Sequence, residues 1–559
     1  MFLRYVRNRK GKKYLMIVEN YWKGGKTRQR SLFTLGALDQ LLATGELENI
    51  TRALSRFCER LRLVDLAKDV SVDQTYVFGS VYLVWKLFQR TPIREVLEDL
   101  GKEHEKLEID IVGTMFAMMV SRFVHPCSKL SLKERWLDRL YPELYPLEVP
   151  LHHFYRTLDF LAKHTEEIQK RLLYPQRQRS LFDVPKLDLV FYDTTTLRFE
   201  SIRNEEGSLR RFGYSKERRN DCTQVILGLL LSHDGMPVGY RLFPGNTYEG
   251  KTLSVILRKL KEELFIKRLI FVADRGMVQG KNVEEIEQAG FEFIMGMKLW
   301  AMPKVDQKRF EEMCRWDSVS EDFRIVELSH PKGRLIITWS RERAERDRQV
   351  REDLLKKLQQ KLSRTDRSSS LISHKGFKRY LKVVEEGKLA IDSVAIAQEA
   401  KRDGLFGILT NVPQEQLSAQ DILRRYKELW RIEDAFGEMK GTLQTRPMFH
   451  WTDRRIQGHV ALCFLAYYLE AFVTKHLREA QADFTAPAAL DALNDVRAVP
   501  IHVRGNTVWV RTQIDGIAAK TLQILKIQIP SNVLKLPPTL KPGETLFPEK
   551  TNTSILSNT

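Results

Sequence analysis

Apolar residues recur at two different spacings along the chain, and the change of spacing marks its organisation. Near the start, Phe2 to Val6, Tyr14 to Tyr21 and Arg28 to Thr34 read as strands, separated by the turn formers Asn8-Arg9-Lys10-Gly11 and Lys23-Gly24-Gly25. They predict a small β meander. From about Ala53 to Phe182 the spacing is helical, as in Ile111 to Phe123 and Tyr155 to Leu173. Strand-length runs follow: Leu187 to Tyr192, then Val225 to Leu231 and Val238 to Phe243 about a turn at His233-Asp234-Gly235, then Leu269 to Ala273 and Phe291 to Lys298. Helices are expected at Lys251 to Leu264 and near Asn282 to Gln288. The order strand–strand–strand–helix–strand–helix–strand predicts a mixed α/β sheet.

Residues 300–405 interrupt that pattern with polar sequence, including ten Lys/Arg and six acids between Arg341 and Arg367. Two short strands, Phe323 to Leu328 and Arg334 to Trp339, and a helix, Val350 to Leu362, predict an inserted subdomain. A strand at Leu405 to Thr410 and one helix from Ala419 to about Thr442 resume the main pattern, and an apolar helix, Ile456 to Leu477, comes next. A hairpin is expected to turn at Arg504-Gly505-Asn506, and Pro542 to Thr559 reads as loop.

Charge narrows the partners. The 559 residues hold 91 Lys+Arg and 72 Asp+Glu, a formal charge of +19. Residues 1–35 contribute ten Lys/Arg and the single acid Glu19, hence +9, with Tyr and Trp interleaved. That combination favours a polyanion such as DNA, and the basic patch Lys129 to Arg139 is a weaker second candidate. Cys58, Cys127, Cys222, Cys314 and Cys463 form no CxxC pair, which excludes a disulfide scaffold and zinc-site spacing and suits a cytoplasmic protein. The most apolar stretch, Ala461 to Val473, is too short to span a bilayer and carries Glu470, and no apolar export segment follows the basic start.

Two apolar strands lead into acids, Asp193 in FYDTTT and Asp274 in FVADRG. Strand C-terminal edges are where open α/β sheets bind ligands. Two aspartates on neighbouring edges would repel unless a cation or a shared proton offsets the charge. Each alone is also a common turn or cap residue. On the helix after Ala419, Tyr426, Glu433 and Lys440 are spaced by seven, which returns within about 20° of the same face. With Leu429, Trp430, Phe436 and Gly437 beside it, Glu433 is expected to lie on an inward apolar face, where a carboxylate is costly unless paired or metal-bound.

Taken together, YDTTT, ADRG and the helix Y-x-x-L-W-x-I-E-x-x-F-x-x-M-K resemble the DDE transposases of bacterial insertion sequences, in particular those with a Tyr–Arg–Glu–Lys catalytic helix and an insertion before the glutamate. FGYSK at Phe212 to Lys216 and Pro244-Gly245-Asn246 add to the likeness, which covers about residues 187–475. The resemblance implies a catalytic and metal-binding triad of Asp193, Asp274 and Glu433, with DNA contacts from Tyr426 and Lys440. The motif arginine falls on Leu429, with Arg425 and Arg431 as candidates to replace it. The implied chemistry is metal-dependent phosphoryl transfer with two Mg2+ ions, Mn2+ able to substitute. Water cuts at the element ends, and the freed 3′-OH attacks target DNA. The implied partners are double-stranded DNA (terminal inverted repeats and target) and a second copy in a homodimer. Arg275 and Lys298 are further candidate phosphate contacts. Among Trp300, Trp316 and Trp339, Trp339 is the candidate to stack on an unpaired base, although a place in a β core is the stronger reading for each.

The expected fold is therefore a ribonuclease-H-like mixed α/β core with an inserted subdomain. The expected segments are 1–45, a basic β meander contacting DNA; 46–182, an α-helical DNA-binding domain; 183–299, the first part of the core; 300–404, the insertion; 405–480, the second part with the glutamate helix; and 481–559, the C-terminal region. Alternatives are a nuclease of the same fold that cuts without joining, and a non-catalytic DNA-binding descendant of a transposase. His459 is expected to buttress the core, and Thr194 to position Asp193 or to serve a turn.

Overall fold

The computed structural model describes residues 1–55, 70–72, 74–103, 109–144, 149–174, 189–200, 208–213, 221–264, 266, 269–274, 280–297, 299, 317–363, 375–384, 389–446, 448–503 and 506–535. The chain divides into two compact units. One comprises Met1–Thr75, Ala498–Thr512 and Pro530–Thr559, and the other Tyr76–Arg497 and Gln513–Ile529.

In the smaller unit the expected meander is present as Phe2–Arg7, Lys13–Lys23 and Lys26–Ala37, paired antiparallel in sequence order. Phe2, Tyr5, Trp22 and Phe33 are exposed on it, while Val18 and Ala37 are buried. A second sheet joins segments from both ends of the chain in the order Val533–Lys535, Asn506–Arg511, Arg497–Val503, Val70–Ser71. Val503 faces Asn506 in the ladder, so the expected hairpin forms; its turn residues Arg504 and Gly505, like Pro542 to Thr559, lie outside the described residues. The C-terminal region, expected as one piece from residue 481, is thus divided. Its strands belong to this unit, whereas helix Ala486–Asn494 packs in the larger one, where Asn494 accepts a hydrogen bond from Ser80 Oγ at 2.5 Å.

The larger unit is built on a nine-stranded sheet. Its first three strands, Leu189–Arg198, Gln224–Ser232 and Pro237–Pro244, form an antiparallel meander. On the other side of Leu189–Arg198 lie Ile270–Ala273 and then Glu292–Met297, both parallel to their neighbours. In order of appearance this is 3-2-1-4-5 with three antiparallel strands followed by two parallel ones, the ribonuclease-H-like arrangement. Every residue of Gln224–Ser232 is buried, because layers cover both faces of the sheet. Leu253, Ile256 and Leu257 of helix Thr252–Arg258 pack on one face. The expected helix to Leu264 changes at Lys259 into a π-type turn, Lys259–Glu263.

Residues 300–404 separate strand Glu292–Met297 from strand Leu405–Thr410 along the chain. Their strands Asp317–Ser320, Phe323–His330 and Gly333–Ser340 continue the main sheet by antiparallel pairing onto Leu405–Thr410, which pairs in turn with Glu292–Met297. The alternating Leu335 and Ile337 of that hairpin pack on Leu299 and Leu405, so burial joins it to the sheet edge. Helix Arg341–Leu362, the short helices Lys375–Lys378 and Ser393–Ala400 and the two short strands Leu381–Val383 and Leu389–Ile391 gather round a separate small core of Leu358, Phe377, Tyr380 and Leu389.

The helical layer from Gly79 onward belongs to the same compact unit as the sheet. Helices Ile111–Val124 and Leu151–Leu173 pack against Asp453–Glu479, which follows the glutamate helix. That long helix is apolar enough to cross a membrane by length and composition, but 83% of its apolar window is buried in the fold. Gly458 allows the close approach: a Cβ there would lie 2.0 Å from the Leu158 carbonyl oxygen. Arg455 clamps the same pair by a bidentate bond to Asp159 at 2.5 and 2.9 Å. Gly458→Ala is therefore expected to cost about 1–3 kcal/mol by overpacking, read as a lower melting temperature, whereas an unchanged melting temperature would show that the helices separate freely.

Candidate active site

The parallel ladder between Leu189–Arg198 and Ile270–Ala273 runs from Leu189 opposite Ile270 to Tyr192 opposite Ala273. The next residue on each strand is an acid, so Asp193 and Asp274 stand side by side just past the end of the parallel ladder, on strands about 4.8 Å apart. Strand Leu189–Arg198 does not end at Asp193, as the sequence suggested. It continues to Arg198 because Gln224–Ser232 still pairs with it, Asp193 opposite Leu229; only the parallel partner leaves there. Asp193 is half-buried, and its Oδ1 accepts the backbone N–H of Thr194 at 2.7 Å. Asp274 is exposed and accepts the Tyr426 hydroxyl at 3.2 Å.

The expected single helix is two, Ala419–Lys427 and Trp430–Lys440. Between them the amides of Leu429, Arg431 and Ile432 donate three residues back, to Tyr426, Glu428 and Leu429. Such a turn advances about 120° per residue rather than 100°, so the seven-residue stripe is not continuous across it. Nevertheless Tyr426 and Glu433 line one cleft of about 870 Å³ together with Asp274, Leu429 and Trp430. The opposite wall comes from Phe406 and from Arg341, Arg343 and Arg346. Asp193 is one strand over from Asp274 and outside this lining. Lys440, two turns beyond Glu433, is half-buried and also outside it.

Glu433 does not sit on a buried apolar face. Ile432, Ala435, Phe436 and Met439 form the buried side of its helix, while Glu433, Gly437 and the half-exposed Trp430 face the open cleft. Hydration there removes the desolvation cost that burial would impose. The carboxylate that does meet that cost is Glu470 on Asp453–Glu479, only 1% exposed. Burial pushes it well above the usual carboxylate range, and Glu438 and Asp434 on the far side of the glutamate helix push it further.

The remaining candidates separate. Arg275, Lys298, Trp300 and Trp316 lie outside the described residues. Trp339 is half-buried in the hairpin with Arg324 over its ring at 5.2 Å, outside the cleft lining. Arg431 is turned toward Glu428 at 3.8 Å, and neither it nor Arg425 lines the cleft, so neither occupies the place of the motif arginine. His459 is buried with Nε2 3.3 Å from the Thr445 carbonyl oxygen, and burial holds it well below the ordinary histidine value; it is a neutral buttress under the loop that leaves the glutamate helix. Sequence reasoning missed Arg122, which donates to the Cys127 carbonyl at 2.6 Å and the Leu443 carbonyl at 3.4 Å beneath that loop. Its signal was a lone arginine in the apolar run Ile111 to Phe123.

Among the described residues no three His, Cys, Asp or Glu side chains gather closely enough to share one metal ion. The donors fit a hard divalent cation in kind, since all three are carboxylates. They fit in placement for the aspartate pair, with Glu433 across the cleft from Asp274.

Residues 185–469 match the family model for the transposase DDE domain, and residues 3–69 that for the IS1634 family transposase N-terminal domain. No curated protein matches. Among solved structures the chain is similar to a cryo-EM structure of the piggyBac transposase synaptic complex with hairpin DNA, at 9% identity, with 74% of this chain and 79% of that chain covered and a TM-score of 0.36. The sheet order is that of a ribonuclease-H-like core, and the family match makes the chain a polynucleotidyl transferase. The chain belongs to the transposase DDE domain family and is an insertion-sequence transposase. DDE domains depend on divalent metal ions.

Glu470 gives a pH signature. Its folded-state pKa lies above the ordinary 4.5, so its stabilising contribution is present below that value and is lost as pH rises. Glu470→Gln, neutral at all pH, is expected to melt higher than the natural chain at pH 8 and to lose that advantage by pH 4. A variant less stable at pH 8 would show that Glu470 is ionised in the fold.

Proposed function

We propose that this transposase uses Asp193, Asp274 and Glu433 to hold two Mg2+ ions, Mn2+ being able to substitute, and that it cuts at the element ends with water and then joins the freed 3′-OH to target DNA. The observation that carries the reading is the ladder that ends with Asp193 and Asp274 side by side, with Glu433 and Tyr426 lining the cleft onto which Asp274 opens. When bound, the ions would stabilise the attacking and leaving oxygens of an in-line displacement. The chain's own groups then orient and position. The Tyr426 hydroxyl fixes one oxygen of Asp274 and leaves the other free. The Thr194 amide holds Oδ1 of Asp193. Lys440 supplies a phosphate contact beyond the cleft, and the basic meander of residues 2–37 grips DNA backbone. Two copies pair the two element ends as a homodimer.

Asp193→Asn, Asp274→Asn and Glu433→Gln are each expected to lower cleavage and joining by at least about 1000-fold while still binding duplex DNA. Joining of pre-cut ends by the natural chain distinguishes transfer from simple nuclease activity. Full cleavage by any of the three variants removes that residue from the set. Tyr426→Phe is expected to slow cleavage about 10-fold, through loss of a charge-assisted hydrogen bond; an unchanged rate would show that the Asp274 orientation is held otherwise.

A further inference from the structure

The glutamate helix presents Leu429, only 9% exposed, to the cleft, and no arginine of that helix lines it. We propose that Arg343, on helix Arg341–Leu362 across the cleft, is the residue that grips the phosphodiester being cut. The inference rests on the reading of Asp193, Asp274 and Glu433 as the reacting centre. Three observations converge on this residue.

First, Arg343 lines the same cleft as Asp274, Tyr426 and Glu433. Second, its position is built in. Ser340 caps the helix by accepting the Arg343 amide at 3.4 Å, and the guanidinium lies over the Phe406 ring at 4.7 Å. Phe406 in turn packs on the Tyr426 ring at 5.3 Å, and the Tyr426 hydroxyl reaches Asp274. A continuous stack thus runs from the guanidinium to the aspartate.

Third, the donors of Arg343 are not consumed. Arg341 is paired with Asp322 at 2.9 Å and Arg346 with Glu342 at 2.5 Å. Arg343 comes no nearer than 3.9 Å to Asp347, beyond hydrogen-bond reach, and the same Asp347 oxygen already accepts the Gly404 amide at 3.1 Å. The buried Arg343 Nε has no hydrogen-bond partner. A guanidinium held over an aromatic ring, its terminal nitrogens bonded to no acid among the described residues, is prepared for a planar, bidentate acceptor, and a phosphodiester oxygen pair matches it.

The test uses the full-length protein and duplexes cut from the DNA that flanks its gene. Arg343→Ala and Arg343→Gln are each expected to cleave about 100-fold more slowly. For both, the slope of log affinity against log salt, measured without divalent ions, should fall by about one. Arg343→Lys should keep the slope but recover less than about a tenth of the rate, because an ammonium lacks the fork. Melting temperatures identify any variant that fails to fold, and Arg343→Lys, which keeps the stem and charge, then carries the test. Natural cleavage rates in Arg343→Gln or Arg343→Lys, or slowed cleavage with an unchanged salt slope in Arg343→Gln, would overturn the proposal. Asp193→Asn run alongside separates the two readings: if it is inert while the Arg343 variants are fully active, only the Arg343 inference falls, and if it cleaves, the reading of the acidic site falls.

Discussion

The parallel ladder between Leu189–Arg198 and Ile270–Ala273 is short, and the proposed chemistry depends on where it stops. Because it stops after Tyr192 and Ala273, the following residue of each strand emerges at the same level, and both are aspartates. Two carboxylates at that spacing repel each other, and the repulsion is relieved when a cation shares them. A one-residue slip in register would carry one aspartate to the opposite face of the sheet. The buried residues around the ladder, including Val190, Phe191, Phe271 and Val272, hold that register.

Other parts of the larger unit bring the remaining groups to this edge. Strand Leu405–Thr410 leads into the two helices that carry Tyr426 and Glu433, while Arg122 and His459 support the loop that leaves them. The hairpin Phe323–Ser340 extends the sheet, so helix Arg341–Leu362, which follows it directly, forms the facing wall of the cleft. The hairpin of the insertion is therefore a structural continuation of the core sheet, and the helix after it supplies part of the cleft lining.

Much of this was legible in the chain. The meander and the core strands follow from period-2 patterns, and Asp193 and Asp274 stood out as acids that close apolar runs. What was not legible depended on distant partners. Asp193 lies inside a longer strand because Gln224–Ser232 pairs past it, and nothing local to FYDTTT reveals that. The pairing of Phe323–Ser340 onto Leu405–Thr410, and of Val70–Ser71 with Arg497–Val503, likewise leaves no local trace. The tight turn at Leu429 contains neither Gly nor Pro, so periodicity alone read through it. Glu433 was expected inward because its neighbours are apolar; the buried stripe proved to be the one through Ile432, Ala435, Phe436 and Met439.

The central claim is that the three carboxylates close on shared metal ions. Anomalous scattering from manganese in crystals of the full-length protein bound to element-end DNA tests it most directly. The account predicts manganese coordinated by oxygens of Asp193, Asp274 and Glu433 at the end of the parallel ladder. Manganese bound elsewhere, with Glu433 still turned to solvent, would contradict it.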